Sequence, residues 1–354
     1  KNVTDYTVSV TDNNDSIKIN AAAFLENAAV SVNGTAVTGE TSVPLSGDET
    51  VITVKAAMED APSQAREYKI HVLRKKSVKL TLKIDPADTV ITLKDADSKK
   101  LKAENGVYTL KAEETYSYVA VKAGYVTKKD TISVTEDTEK TITMEKAPES
   151  TRKDVSAAWK NFRNSDDNMG ITSAKTPTSE ATTYEKWFKK LGSGWGAAPS
   201  VQIIVDNSLI VMSANHIYKL DLNTGDILQT GDMVAATNFG YTPPTYADGM
   251  IFAPLSDGRV QAFNAETLES LWVYQDTLKG QSLSPITYSD GYIYTGFWNA
   301  ETKDANYVCI PVTDEDPTNA QEAKEAAWQY TSLGGFYWAG SVVRGDYVVF
   351  GTDD

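Results

Sequence analysis

Four short stretches carry aromatic or amide side chains just ahead of alternating apolar runs: "GSGWGAAP" (192–199), "NFGYTPP" (238–244), "KGQSLSP" (279–285) and "GGFYWAGS" (334–341). They bring Trp195, Tyr241, Gln281, Tyr337 and Trp338 to comparable places. Aromatic faces beside amides suit sugars or peptides, because they supply large contact area with little side-chain entropy to lose. The same rings could instead pack between neighbouring elements, and the sequence leaves both readings open. Other chemistry finds less support. His71 and His216 each stand alone in alternating runs, which disfavours a metal triad or a Ser-His-Asp site. Cys309, the one cysteine, lies in the strand-like "NYVCIPV" and reads as a small buried hydrophobe. "NSDDNMG" (164–170) has the look of a calcium loop, but one starting at Asp166 would need glutamate where Pro177 stands. "VTDNNDS" (10–16) could gather oxygen ligands for calcium or simply turn a hairpin. No cofactor or metal site is expected.

The elements that must position the aromatic windows repeat. "PPTYADGMIFAP" (243–254) and "SPITYSDGYIYTG" (284–296) are near-copies, and turn aspartates recur at Asp206, Asp248, Asp290 and Asp346, spaced by 42, 42 and 56 residues. A second ruler runs through Trp187, Gln229, Trp272 and Trp328, spaced by 42, 43 and 56. Both rulers lengthen in the same unit, which puts an insertion at "VTDEDPTNAQEAKEA" (312–326). A period of about 42 residues holding four short strands is the signature of a propeller blade. "PITYS", "YIYTG", "YVCIPV" and "AWQYTS" read as the four strands of one blade, from innermost to outermost. Residues 184–191 are expected to be an outer strand, followed by three full blades and a final half-blade.

These units resemble the PQQ-like propeller repeat, whose blades end in an Ala-x-Asp-x-x-x-Gly-x-x-x-Trp docking motif. Ala262, Asn264, Leu268 and Trp272 occupy that pattern with Asn for Asp and Leu for Gly; Asp221, Gly225 and Gln229 occupy it with Gln for Trp. The opening "WKNFRNSDDNMGIT" (159–172) resembles the family's lead-in. The resemblance covers about 200 residues. It does not bring the quinone with it, because quinoprotein dehydrogenases use a vicinal cysteine pair and Cys309 has no second cysteine. PQQ-dependent dehydrogenase activity is therefore not expected, and a fold does not by itself imply chemistry.

Ahead of the repeats, residues 1–76 alternate with period two in "YTVSV", "SIKIN", "AVSVNG", "TVITVKA" and "YKIHVL", the pattern of half-buried strands. "AAAFLENAA" (21–29) is the one helix-prone stretch. This segment resembles the cadherin-like β-sandwich of bacterial surface proteins. Residues 77–147 restart the alternation, and Pro86 with the Gly106 and Gly124 steps resembles the small PEGA-like or carboxypeptidase-regulatory-like sandwich. The polar stretch around Pro148 reads as a linker over 148–158, leaving 159–354 to the propeller, truncated by the count of its strands.

The expected architecture is thus all-β: two small β-sandwiches followed by a partial β-propeller of four-stranded blades. With 354 residues, 41% of them apolar, the chain can form several cores. The first residue is Lys1, and no apolar run is long enough to span a membrane. An excised piece of a larger protein is expected. Of the net charge of −14, most lies after residue 148, where 14 Lys and Arg face 26 Asp and Glu. Such a surface repels phosphate backbones, so nucleic acid is not an expected partner. The resemblances imply an extracellular, secreted or cell-surface bacterial protein whose propeller is a non-catalytic scaffold for adhesion or recognition of carbohydrate or protein; the sequence does not name the ligand. A carbohydrate-active hydrolase or lyase, or a purely structural spacer, are the alternatives.

Overall fold

Every turn aspartate closes a two-residue hairpin between the first and second strands of a sheet. Val205 pairs with Ser208, Ala247 with Met250, Ser289 with Tyr292, and Arg344 with Tyr347. In the first three hairpins both turn residues have positive φ, as in Asp248 (52°) and Gly249 (70°), the type I′ geometry that matches strand twist. In the fourth only Gly345 does, so this turn, Gly345–Asp346, is of the II′ kind. The computed structural model describes residues 3–25, 27–58, 64–237 and 242–353. Within them there is no α-helix, and no helix long and apolar enough to cross a membrane.

Two compact units divide the chain. One comprises residues 1–87, 92–119 and 129–143; the other comprises 88–91, 120–128 and 144–354. The first unit opens with a five-stranded sheet in which Asp5–Thr11 runs parallel to Arg66–Lys75, and a two-stranded antiparallel sheet of Ser16–Asn20 with Glu40–Pro44. Val32, Val43, Leu45, Ile52 and Val72 form the core between them. The helix-prone 21–29 stretch is not helical in its described residues, and Ala28–Val32 is a strand. Nine residues are too few to nucleate a helix unaided, and burial of Val30 and Val32 favours the strand. "VTDNNDS" forms a turn in which Asn14 Nδ2 donates to Thr11 O at 3.2 Å; it is not a hairpin, because the strands it joins, Asp5–Thr11 and Ser16–Asn20, belong to different sheets. After residue 76 come a three-stranded sheet centred on Ser77–Asp85 and a four-stranded sheet containing Thr115–Val121.

The second unit holds the repeats. Its first three sheets contain the four antiparallel strands read from the sequence, with Ile203–Val205, Thr245–Ala247 and Thr287–Ser289 leading them, and Val342–Arg344 with Tyr347–Val349 begins a fourth. Apolar side chains fill the space between consecutive sheets. Ile210, Met212 and Ile217 meet Ile251 and Phe263; then Phe252 and Trp272 meet Ile293 and Val308.

Three departures from the four-strand pattern matter. Ala157–Trp159 adds a strand to the inner edge of the first sheet. The insertion does not merely bulge from its own blade: Glu322–Lys324 crosses to run parallel with Ser270–Gln275 of the previous sheet. Residues 184–191, expected as an outer strand, are not a strand. Trp187 nevertheless keeps its place there, donating Nε1–H to Leu222 O at 3.1 Å and lying over Gly225, where an added Cβ would come within 2.5 Å of the indole. Without neighbouring strands to pair with, the segment is held by side chains: Trp187, and Lys186, whose Nζ donates to Asn223 Oδ1 at 2.8 Å.

Candidate functional site

In an up-and-down sheet, the connections from strand two to three and from strand four to the next sheet leave by the same end. The aromatic windows are of the second kind. Trp195 precedes Ile203–Val205 in a short 3₁₀ turn, Trp195–Ala197, entered through Gly194 at φ 75°. Gln281 precedes Thr287–Ser289, and Tyr337 and Trp338 precede Val342–Arg344. Together they line one cleft of about 550 Å³. Trp195 is 79% exposed and Trp338 is 55% exposed, so these two rings are not consumed by packing between blades. Gln281 and Tyr337 are half-buried. Tyr241 lies outside the described residues.

Sequence reasoning missed three further lining residues, Leu283, Trp298 and Glu301. Trp298 and Glu301 stand in the connection between Tyr292–Gly296 and Asp304–Pro311. The corresponding turns in the two preceding sheets have two residues, between Ser213 and His216, and three, between Leu255 and Arg259. That length difference, with a tryptophan inside it, was the available signal: the long connection leaves by the same end as the windows.

The backbone holds these groups firmly. Gln281 N–H donates to Trp298 O at 2.7 Å and Trp298 N–H returns to Gln281 O at 3.0 Å, an isolated two-way bridge between the two connections. Trp298 packs edge-on against Tyr337, with centroids 5.7 Å apart at 61°, and Tyr337 meets Trp338 at 5.3 Å and 64°. Trp338 N–H donates to Leu283 O at 3.2 Å. Its φ of +65° is a left-handed conformation that a bulky residue adopts only at a cost on the order of 1–2 kcal/mol. Such strain persists where the surroundings impose it, and here it accompanies a ring presented to the cleft. Trp298 Nε1 is buried with no hydrogen-bond partner among the described residues.

Negative charge borders the rings. The Tyr337 hydroxyl is held above its ordinary pKa, first by its hydrogen bond to Asp353, then by desolvation and by the charges of Asp353 and Glu301. Among the described residues no group of three or more His, Cys, Asp or Glu side chains is arranged to hold a metal ion. What the cleft can do with these groups is hold a ligand against aromatic faces, with an amide and a carboxylate for polar contact.

The comparisons bear on the frame that carries this cleft. Residues 178–300 match the PQQ_2 family model, described as Outer membrane protein assembly factor BamB. Residues 1–75 match the model of the cadherin-like beta sandwich domain. Each covers part of the chain and bears out the corresponding sequence resemblance. Among solved structures, the chain is similar to a europium-containing methanol dehydrogenase at 20% identity, TM-score 0.29, over 37% of this chain and 24% of that one. It is also similar to the computationally designed Ika4 protein (14% identity, TM-score 0.36, 48% of this chain and 93% of that one) and to BamB from Moraxella catarrhalis (13% identity, TM-score 0.32, 99% and 82%). The chain thus spans about a quarter of the methanol dehydrogenase chain. No curated protein matches it.

Proposed function

We infer that this chain is a recognition module in which the propeller blades present a ligand-binding cleft. The observation that carries the reading is the convergence of Trp195, Gln281, Tyr337 and Trp338, from connections far apart in sequence, on one cleft that leaves two of the indoles largely open. Aromatic side chains that remain exposed in this way lose nothing by burial until a ligand covers them, and then contribute large contact area. The ligand class is carbohydrate or a protein segment. The lining offers ring faces, an amide and one carboxylate among the described residues, which suits holding a ligand; acid and base hydrolysis of a glycoside would call for a pair of carboxylates. An extracellular setting at a bacterial cell surface fits the cadherin-like and PQQ-like resemblances.

A glycan and peptide array probed with the wild type, Trp195→Ala and Trp338→Ala tests this. Binding by the wild type that both substitutions weaken at least tenfold is the expected outcome. Equal binding by all three proteins, or no binding by the wild type, would sink the proposal.

A further inference from the structure

We propose that the group received by this cleft is a quaternary ammonium. The inference rests on the cleft being a binding site and concerns what chemistry it selects.

Shape comes first. A pyranose ring stacks on a flat, open aromatic face. Here three rings in succession, Trp298, Tyr337 and Trp338, meet at 61° and 64° with centroids 5.7 and 5.3 Å apart. Steeply inclined neighbours make a corner rather than a platform, and a corner suits a small, round group better than a flat sugar ring. Each aromatic face carries negative quadrupole density, so the round group it favours is a cation, most strongly over tryptophan.

Charge points the same way. Glu301 is the charged side chain lining the cleft among the described residues, and Asp353 holds the Tyr337 hydroxyl from beside it. No lysine, arginine or histidine lines the cleft among those residues. The chain from residue 149 onward, with 14 basic and 26 acidic side chains, adds a field of the same sign.

Hydrogen-bonding capacity separates a quaternary from a primary ammonium. A lysine head group brings three N–H donors that need acceptors. The backbone carbonyl of Gln281 already accepts the amides of Trp298 and Leu283, and that of Leu283 accepts the amide of Trp338, which leaves the Gln281 amide oxygen and the Glu301 carboxylate as the side-chain acceptors of the lining. A quaternary nitrogen has no N–H to satisfy and gains from ring faces and a nearby carboxylate alone. The cleft, about 550 Å³, also leaves space for the molecule that bears the head group.

Choline chloride and its neutral isostere 3,3-dimethylbutan-1-ol, titrated at matched ionic strength against the full chain and followed by tryptophan fluorescence, decide the matter. Saturable binding of choline, with the isostere at least tenfold weaker, is expected. Glu301 is exposed, so Glu301→Gln leaves the fold intact, and it should weaken choline at least threefold without changing the isostere. A choline-substituted glycan and a trimethyllysine peptide, each bound by the wild type and weakened by Glu301→Gln, identify the carrier. Isostere binding as tight as choline overturns the proposal. So does absence of choline binding while a ligand found on the array still binds, which leaves the broader reading standing; silence on both counts removes both.

Discussion

The indole Nε1 of Trp272 donates to the carbonyl oxygen of Val312 at 3.1 Å, inside the apolar layer between the second and third blades. Trp187 makes the same bond, at the same length, to Leu222 O of the first blade. The two acceptors are equivalent. Leu222, Ala265 and Val312 each donate their own N–H to the second residue of an aspartate turn: Asn207, Gly249 and Gly291. Removing the Trp272 donor strands a buried carbonyl, so Trp272→Phe is expected to cost about 1–3 kcal/mol in denaturant unfolding. Trp272→Ala should cost about 3–5 kcal/mol because it also leaves a cavity.

At the junction between the first and second blades the same carbonyl, Ala265 O, faces a different solution. Gln229 stands where tryptophan would be, and the buried Lys219 reaches Ala265 O with its Nζ at 3.4 Å. Leu268 stands in the glycine position with φ +57°, buried, where Gly225 has φ +75°. Its carbonyl and Cβ lie against Gly231, next to the shortened docking side chain. Volume lost by the missing indole is thus partly returned by the leucine. Gln229→Trp and Leu268→Gly are each expected to destabilise by about 1–3 kcal/mol, and together by clearly less than their sum. Additive losses in unfolding experiments would show that the two positions do not compensate.

Gly225 offers a sharper local test. A methyl group there would lie 2.5 Å from Trp187 Cε3 and would also have to accept φ +75°. Gly225→Ala should release the indole from Leu222 O, seen as a red shift in tryptophan emission together with faster proteolysis within 183–191. An unchanged emission spectrum would contradict the docking role.

Lys324 has a fully buried side chain paired with two carboxylates, Glu322 at 3.0 Å and Glu315 in a shorter contact, and it also donates to Thr313 O at 2.8 Å. Glu322 in turn accepts the backbone amides of Glu315 and Asp316. This network pins the insertion whose strand crosses to the second blade. Lys324→Met leaves two carboxylates without their cation, so a loss of about 3–5 kcal/mol is expected at pH 7.

Burial pushes the Cys309 thiol up to about 12, from an ordinary 9.0, with Tyr294 opposing the shift through a hydrogen bond. The unfolded chain ionises at the lower value, so between about pH 9 and pH 12 it binds fewer protons than the folded chain. Stability from this group is therefore present below pH 9 and declines above it, by at most about 1.4 kcal/mol per pH unit. Cys309→Ala should flatten the decline between pH 9 and 10.5. The native thiol should also resist a thiol reagent at pH 8 until denaturant unfolds the third blade.

The blades were legible because a two-residue hairpin has few solutions: Asp-Gly and Asp-Asn pairs mark the type I′ turns directly, and a 42-residue stride follows. What escaped was non-local. Nothing in "QEAKEA" announces that Glu322–Lys324 pairs outside its own blade, because its partner, Ser270–Gln275, stands far earlier in the chain and alternation does not name a partner. The strand-like spelling of 184–191 predicts a strand, yet a strand needs a hydrogen-bonded neighbour, and here the contacts are made by the side chains of Trp187 and Lys186. The cleft was half legible: alignment of the windows singled out Trp195, Gln281, Tyr337 and Trp338, whereas Trp298 and Glu301 sit in a connection that breaks the repeat.

The most direct measurement is calorimetric titration of the strongest array ligand into three proteins: wild type, Trp338→Ala, and Phe24→Ala as a control, since Phe24 is fully exposed in the other unit. The account predicts wild-type affinity for Phe24→Ala and at least a tenfold loss for Trp338→Ala. Equal affinity for all three, or a loss in Phe24→Ala instead, would contradict it.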